Sequence, residues 1–246
     1  MAKVWSEAMP LATIRPSAVA KPVTIVLPFY QAHEFLKTHL ETWAGYPEAI
    51  RKHVSVILGD DCSPDPLTVP ESPLPTRVFR IETKVPWNWL AARNIGAHYA
   101  QDGWLLLTDM DHIAPAETIE SLVIGQHDPN VVYAFSRREH TGIAIRPHSA
   151  SFFMTRKLFW RIGGYNEAYS GVYGTDGAYR KRAMSYAPFK LLPQELIRYE
   201  YVADSSVTTY ERKTPAMREL RRKRFAIVPQ GAPPKVLSFP FHEVFA

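Results

Sequence analysis

Two carboxylates one residue apart, Asp109 and Asp111, close the apolar run Trp104–Leu107 within the stretch GWLLLTDMDHIAP. The run is short, unbroken and apolar, so it reads as a buried strand. Two acids at the end of such a strand repel each other, and carboxylates near a core require partners. A divalent cation carrying a diphosphate meets both requirements, because a hard cation takes oxygen ligands from carboxylate and phosphate together. A polar turn with aspartate capping the next helix satisfies the same pattern. The spacing alone leaves both readings open.

The elements that must position these acids follow from periodicity. Val23–Tyr30, VTIVLPFY, is a β-branched run with Pro28 at its end and reads as a central strand. Gln31–Gly45 carries Phe35, Leu36, Leu40 and Trp43 at helical spacing and closes on Gly45. Val54–Leu58 is a second buried strand ending in Gly59-Asp60-Asp61. Pro64–Pro75, with its five prolines, is a loop, and Arg77–Ile81 is a third strand. Trp87–Ala100 has the composition of a helix and feeds the Trp104–Leu107 strand. Further on, Ala116–Gln126 reads as a helix, Val131–Phe135 and Ser151–Thr155 as strands, and Arg156–Ile162 and Asp176–Met184 as helices. Ile197–Val202 reads as a strand, followed by a basic helix around Pro215–Phe225 and a tail, Val236–Phe245.

Strand and helix alternate through the first half, which predicts an α/β fold with a mainly parallel central sheet and helices on both faces. Ligands of such sheets sit outside the carboxyl ends of the strands. Asp60, Asp61, Asp109 and Asp111 all fall at such ends, so four carboxylates are expected along one edge. No glycine-rich dinucleotide loop or P-loop follows the first strand, which argues against a nicotinamide dehydrogenase or a P-loop ATPase.

Composition narrows the class further. The chain has 246 residues, 46% hydrophobic and 22% charged, with one cysteine, Cys62. It is long enough for a full core. It lacks a run suited to a membrane span or a secretory leader, and a single cysteine cannot form an internal disulfide. The expectation is a cytoplasmic protein, of the host cytoplasm if viral. A net charge of +5 favours anionic partners. The basic residues concentrate late, in Arg212-Lys213 and Arg218–Arg224, where a solvated helix face is the alternative.

The ordered segments VTIVLPFY, VSVILGDD, WNWLAARNIGAHYA, WLLLTDMDH and GGYNEAYSGVYGTDGAYRKR resemble GT-A-type nucleotide-sugar glycosyltransferases, closest to family two and the β-galactosyltransferase-like families. The resemblance runs from Val23 to Asp204. It implies a GT-A catalytic domain over 23–205, with a donor half over 23–112 and an acceptor half over 113–205. An N-terminal arm over 1–22 precedes it, and a basic helix and C-terminal tail over 206–246 pack on it. It implies a nucleotide-sugar donor, with UDP the commonest carrier. Pro28, Phe29, Tyr30, Asp60 and Asp61 are then expected at the base, and Asn88, Arg93, Asn94 and Gly96 near ribose and diphosphate. Asp109 and Asp111 would hold Mn²⁺ or Mg²⁺, with Asp204 or His112 as a third ligand. For Gly96 close helix packing, and for Asn94 a local cap, remain open alternatives.

The same resemblance implies a sugar and acceptor pocket at Gly163, Gly164, Tyr165, Asn166 and Glu167. Gly174-Thr175-Asp176 stands where the family carries Gly-Glu-Asp. Asp176 is therefore the expected base for an inverting displacement, with helix capping as its other reading. Thr175 replaces the usual glutamate and Ala178 a further acid, which raises the alternative of a GT-A-like binding protein with weak turnover. The GTDG variant is similar to stand-alone bacteriophage glycosyltransferases. That likeness and the late basic run point to a hydroxymethylated pyrimidine in duplex DNA as acceptor, with Trp87, Trp89 or Tyr173 stacking on a flipped base. A glycan, lipid-linked or protein hydroxyl is the alternative, and the oligomeric state is not readable.

Overall fold

A computed structural model describes residues 20–200, 214–228 and 233–245. Its frame is a sheet begun by β1 (Val23–Phe29), β2 (Val54–Asp60), β3 (Thr76–Ile81) and β4 (Trp104–Leu107). These four are parallel, in the order β3-β2-β1-β4. Parallel strands must be linked by crossovers, and these carry α1 (His33–Ala44), a short α2 (Glu48–Arg51) and α3 (Trp89–Tyr99). Register then fixes the functional edge: Phe29 pairs with Asp60, and the last pair between β1 and β4 is Val26 with Leu107. Beyond that pair β1 has lost its β4 neighbour, and there Pro28 sits without a ladder partner to disrupt on that side.

The second half completes the sheet with mixed polarity. The elements run β5 (His112–Ile113), α4 (Ala116–Ile124), β6 (Val132–Glu139), β7 (Ala144–Ile145), β8 (Phe152–Thr155), α5 (Arg156–Ile162), α6 (Asp176–Tyr186), β9 (Phe189–Arg198), α7 (Pro215–Ile227) and β10 (Phe241–Val244). β8 is antiparallel to β4 and β6, while β9 is parallel to β6 and antiparallel to β5.

Alternation along β1 explains the layers. Val23, Ile25, Leu27 and Phe29 pack with Phe35, Leu36 and Trp43 of α1 and with Ile119, Leu122 and Val123 of α4. Val26 points to the opposite face, toward α3 and α5. Helix α3 lies close on the sheet because two glycines leave room. A Cβ on Gly96 would stand 2.3 Å from Val26 Cγ1, and one on Gly59 would stand 2.7 Å from Ala92 Cβ.

The structure corrects the pattern reading late in the chain. The strand expected at Ile197–Val202 instead begins at Phe189 and ends at Arg198. Pro193 and exposed Lys190 and Leu191 break its alternation. The sheet accommodates the proline by a register shift, with Phe135 paired to Leu192 and Ser136 to Glu195. The tail adds β10 antiparallel to β3, which its short polar sequence did not announce.

Candidate active site

The donor edge is built first by the acids after β2. Asp60 is fully buried and fully engaged: it accepts from Ser63 N (2.9 Å), from Leu67 N (3.3 Å) and from the Arg80 guanidinium. It therefore holds the 61–67 loop. Asp61 is different. Its Oδ2 accepts from Asn88 N at 2.9 Å, while its buried Oδ1 meets no partner among the described residues. Burial pushes this carboxyl well above its ordinary range. Asn88 is likewise buried, with Oδ1 held by Ser170 Oγ (2.5 Å) and Nδ2 without a partner. Orphaned buried polar atoms are rare and costly, and here one acceptor and one donor belong to a single bonded pair of residues.

Backbone strain marks the same edge. Gln31, Cys62 and Trp87 hold left-handed backbones with φ of 47°, 52° and 56°, following β1, following β2 and preceding α3. Such strain gathers at ligand clamps, and no residue type in the sequence announced it. The Trp87 ring is buried and packs 4.9 Å from that of Tyr173 at a tilt of 52°, so two of the expected stacking residues contact each other. Trp89 instead packs under the Arg93 guanidinium and edge-on to Tyr165. Pro28 and Tyr30 border the edge, half-buried, whereas the Phe29 side chain is core and offers only backbone there, accepting from Asp61 N at 2.8 Å.

The Asp109-Met110-Asp111 turn is held from below and behind. His39 of α1, fully enclosed and pushed down to about 4 by burial, is a neutral ring whose Nε2–H donates to Met110 O at 3.1 Å. Asp109 accepts from Arg93 Nη2 at 2.5 Å and lies 3.5 Å from His148 Nε2. Arg93, with no exposed surface, also donates from Nη1 to Ala150 O (2.5 Å) and to the Tyr165 hydroxyl (2.9 Å). Arginine can only donate, so the 2.8 Å contact of Arg137 Nη1 makes His112 Nε2 the acceptor. His112 Nδ1–H then donates to Asp111 Oδ1 at 2.5 Å. With both nitrogens engaged, His112 orients Asp111 and is not itself a ligand. Asp111 is ringed by protein atoms yet keeps 37% of its side-chain surface open. Enclosure works against its charge, but His112, His148 and Arg198 outweigh it and hold the carboxyl below the usual range.

These two acids fit a divalent cation as the protein's share of its shell. Their oxygens are hard ligands, each side chain about a third exposed on one turn and fixed by a neighbour. No group of three or more acids, histidines or cysteines suited to a metal occurs among the described residues. Mg²⁺-type sites commonly take one or two carboxylates and complete the shell with phosphate and water. Asp204 lies outside the described residues.

On the acceptor side, the residues singled out in the sequence are joined by a hydrogen-bond network. Asn94 donates to Tyr165 O and Glu167 Oε1 and accepts from Tyr165 N, all at 2.8 Å. Glu167 takes Leu237 N (2.7 Å), Ser238 N (2.7 Å) and Ser238 Oγ (2.6 Å). Asn166 Oδ1 accepts from Ala168 N and Lys235 N, both at 3.1 Å. Asn94, Asn166 and Glu167 thus tie the Gly163-Gly164 turn to α3 and to the tail, and Gly96 sits at the α3–β1 seam. Tyr165 is buried, stacked 4.1 Å from Tyr179, with only its hydroxyl turned to Arg93.

Thr175 is buried, its hydroxyl 3.4 Å from Val172 O, and precedes α6. Asp176 is the first residue of α6 and is half-buried, with Ser149 Oγ donating to its Oδ2. Over this loop lies α7, through Met217, Arg221, Arg224 and Phe225 at helical spacing. Met217 Sδ lies 3.4 Å from Tyr173 N, and Arg224 Nη1 donates to Ala168 O and Ser170 O. Gly174, with φ of 78°, leaves room for the Arg221 guanidinium: a Cβ there would stand 2.6 Å from Nη1. His148, Ser149, Arg137 and Arg198 are site residues that sequence reasoning missed, since each sits on a segment with no motif spacing.

Residues 24–187 match the family described as "Glycosyl transferase family 2". The chain belongs to that family. Its fold is that of the GT-A type. Among solved structures it is similar to Staphylococcus aureus TarS 1-349 in complex with UDP-GlcNAc, at 15% identity and a TM-score of 0.61, covering 77% of this chain and 62% of that one. It is also similar to GalNAc-T7 with UDP, GalNAc and Mn²⁺, at 14% identity and 0.59, covering 82% and 48%. A third likeness is to the mannosyltransferase PcManGT of Pyrobaculum calidifontis in complex with GDP-Man and Mn²⁺, at 17% and 0.54, covering 84% and 69%. The chain therefore spans about three-fifths of the length of the first of these. A search of curated proteins finds no match. Among the described residues no helix is long and apolar enough to cross a membrane.

Proposed function

We propose that this family 2 chain transfers a sugar from a UDP-sugar to an acceptor hydroxyl, with Asp109 and Asp111 holding Mn²⁺ or Mg²⁺ and Asp176 acting as base. The observation that carries the reading is the pair of orphaned atoms at the donor edge, Asp61 Oδ1 and Asn88 Nδ2. Uracil offers an N–H beside a carbonyl, as guanine also does, which answers one free acceptor and one free donor together; cytosine lacks that N–H. TarS and GalNAc-T7 were solved with UDP-bearing ligands or UDP, which agrees with that choice.

When bound, the cation supplies charge to the leaving diphosphate. The chain's own residues do the rest. Arg93 and His112 fix the two acids, and buried Asp61 selects the base. Asp176 accepts the proton of the acceptor hydroxyl as that oxygen bonds to the anomeric carbon, and the sugar–phosphate bond breaks with its electron pair leaving on UDP. One displacement of this kind inverts the anomeric centre.

For the acceptor, the reading is a 5-hydroxymethylpyrimidine in duplex DNA. Its support is the cationic surface beside Asp176: Arg180 and Lys181 on α6, with Arg218, Arg222 and Lys223 on α7, are all exposed. Half-buried Tyr173, whose ring packs at 4.9 Å and a 52° tilt on buried Trp87, is the aromatic surface offered to a flipped base.

The test is UDP release from UDP-sugars with Mn²⁺, with and without hydroxymethylated duplex. Turnover is expected with the ion and lost on chelation. Asp111→Asn and Asp176→Asn are each expected to lose at least about a hundredfold in kcat, and Asp176→Asn to keep its affinity for UDP. Undiminished turnover in Asp176→Asn removes the base assignment, and release indifferent to chelation removes the metal.

A further inference from the structure

Between β7 and β8, consecutive side chains of one loop reach both halves of the site. His148 Nε2 lies 3.5 Å from Asp109 Oδ2 on the donor side, while its Nδ1 is 2.8 Å from Ser151 Oγ. Ser151 Oγ in turn lies 2.8 Å from Thr108 Oγ1, directly before the acidic turn. Ala150 O receives the Arg93 guanidinium at 2.5 Å. Ser149 alone faces the other way, and its hydroxyl donates to Asp176 Oδ2. The loop is thus anchored at the diphosphate end and touches the carboxylate proposed as base.

Asp176 is otherwise unrestrained. Among the described residues no second hydrogen bond or ion pair reaches its carboxylate. Of the cations further along α6, Arg180, one turn on, is exposed, and Arg182 is committed to Ile162 O (3.0 Å) and to Gly164 O. A carboxylate on two free torsions spends little of its time aimed at one point, and transfer requires its oxygen within hydrogen-bond reach of the acceptor hydroxyl. One donor on Oδ2 removes most of that freedom and leaves Oδ1 for the acceptor.

We propose that Ser149 is a positioning residue for sugar transfer, its hydroxyl orienting Asp176 from a loop fixed at the donor site. The proposal rests on the reading of Asp176 as base. Ser149 keeps its own proton throughout. The acceptor proton goes to Asp176 Oδ1, the new bond forms at the anomeric carbon, and the electron pair of the broken bond leaves on the nucleoside diphosphate.

The experiment measures UDP release from UDP-GlcNAc with Mn²⁺ in Ser149→Ala, Ser149→Thr, Asp176→Asn and the double variant Ser149→Ala/Asp176→Asn, alongside Tm. Ser149→Ala is expected to lose about tenfold or more in kcat with the donor KM unchanged. Ser149→Thr, which keeps the hydroxyl, is expected to recover most of it, and the double variant to match Asp176→Asn. Wild-type kcat in Ser149→Ala beside an inactive Asp176→Asn overturns the proposal and leaves the base reading standing. Undiminished turnover in Asp176→Asn overturns the base reading itself. A kcat loss in Ser149→Ala that tracks a lowered Tm and is not restored by threonine assigns the hydroxyl to stability alone and also overturns the proposal.

Discussion

Arg93 Nη2 donates to Asp109 Oδ1 at 2.5 Å from a side chain that has no exposed surface. One guanidinium thereby joins the acidic turn, the carbonyl of Ala150 and the hydroxyl of Tyr165. A buried cation tolerates its desolvation only when paired and hydrogen-bonded, and the fork of arginine makes these contacts at once. The fold uses it as a hub, setting the first acid of the turn against the loop that precedes β8.

Arg93→Lys keeps the charge but can satisfy only part of that set. Two lost hydrogen bonds in a buried position correspond to about 2–3 kcal/mol. An unfolding free energy from urea titration lowered by that amount, together with reduced UDP affinity, is the expected outcome. A lysine variant as stable as the wild type would show that the three contacts are incidental.

The seam between α3 and β1 gives a second, purely structural prediction. A methyl on Gly96 would meet Val26 Cγ1 at 2.3 Å. Overpacking of this kind costs about 1–3 kcal/mol, so Gly96→Ala is expected to lower stability by that order. Adding Val26→Ala makes room, and the double variant should be less destabilised than the two single losses summed. Strict additivity in denaturant titrations would refute the seam as the cause.

How much of this was legible in advance depends on the kind of signal. The strands of the first half followed from apolar runs, and their parallel register brought Asp60, Asp61, Asp109 and Asp111 to one edge. The division of labour between Asp60 and Asp61 was not legible. It depends on Arg80, paired with Asp60 across β3, and on an Asn88 amide reached through a left-handed Trp87. The long-range partners of the Gly163–Glu167 segment were not legible either. Asn94 and Glu167 are matched to each other and to Ser238 of the tail, a long-range contact without periodicity. The strand at Phe189–Arg198 was hidden by Pro193, which is left unpaired with Gln194 in a bulge of β9 opposite Phe135 and Ser136 of β6.

Asp61 offers a test through pH. Burial raises its folded-state pKa above the unfolded value, so its stabilising contribution is present in full below the ordinary carboxylate range and is lost as pH rises toward the raised value. Asp61→Asn removes that loss. The ligand-free variant is expected to melt higher than the wild type at pH 8, by about 2–4 °C for each kcal/mol recovered. The gap should shrink as pH falls toward 4. Affinity for UDP is expected to drop about tenfold or more in the same variant, since an amide has a single acceptor oxygen, which Asn88 N occupies, and would turn its own NH₂ toward the N–H of the base. A gap in melting temperature that widens on acidification would contradict the assignment.

The cationic flank of α6 and α7 gives the last prediction, made on salt. Arg180, Lys181, Arg218, Arg222 and Lys223 are exposed on these helices, although Arg222 and Lys223 share Glu219 at 2.7 and 3.8 Å. Each phosphate neutralised releases condensed counterions, so the logarithm of the binding constant falls with that of salt by roughly 0.9 per contact. With three to five contacts, affinity for a duplex is expected to fall about 40- to 500-fold between 50 and 200 mM salt. Arg218→Ala, which removes a cation with no acidic partner among the described residues, should lower the slope by about one unit. It should leave UDP release from the donor alone unchanged. Fluorescence anisotropy with a labelled hydroxymethylated duplex measures both quantities. Binding indifferent to salt, or a slope unmoved by Arg218→Ala, would set this flank aside as a solvated helix face and return the acceptor to a neutral glycan, lipid-linked or protein hydroxyl.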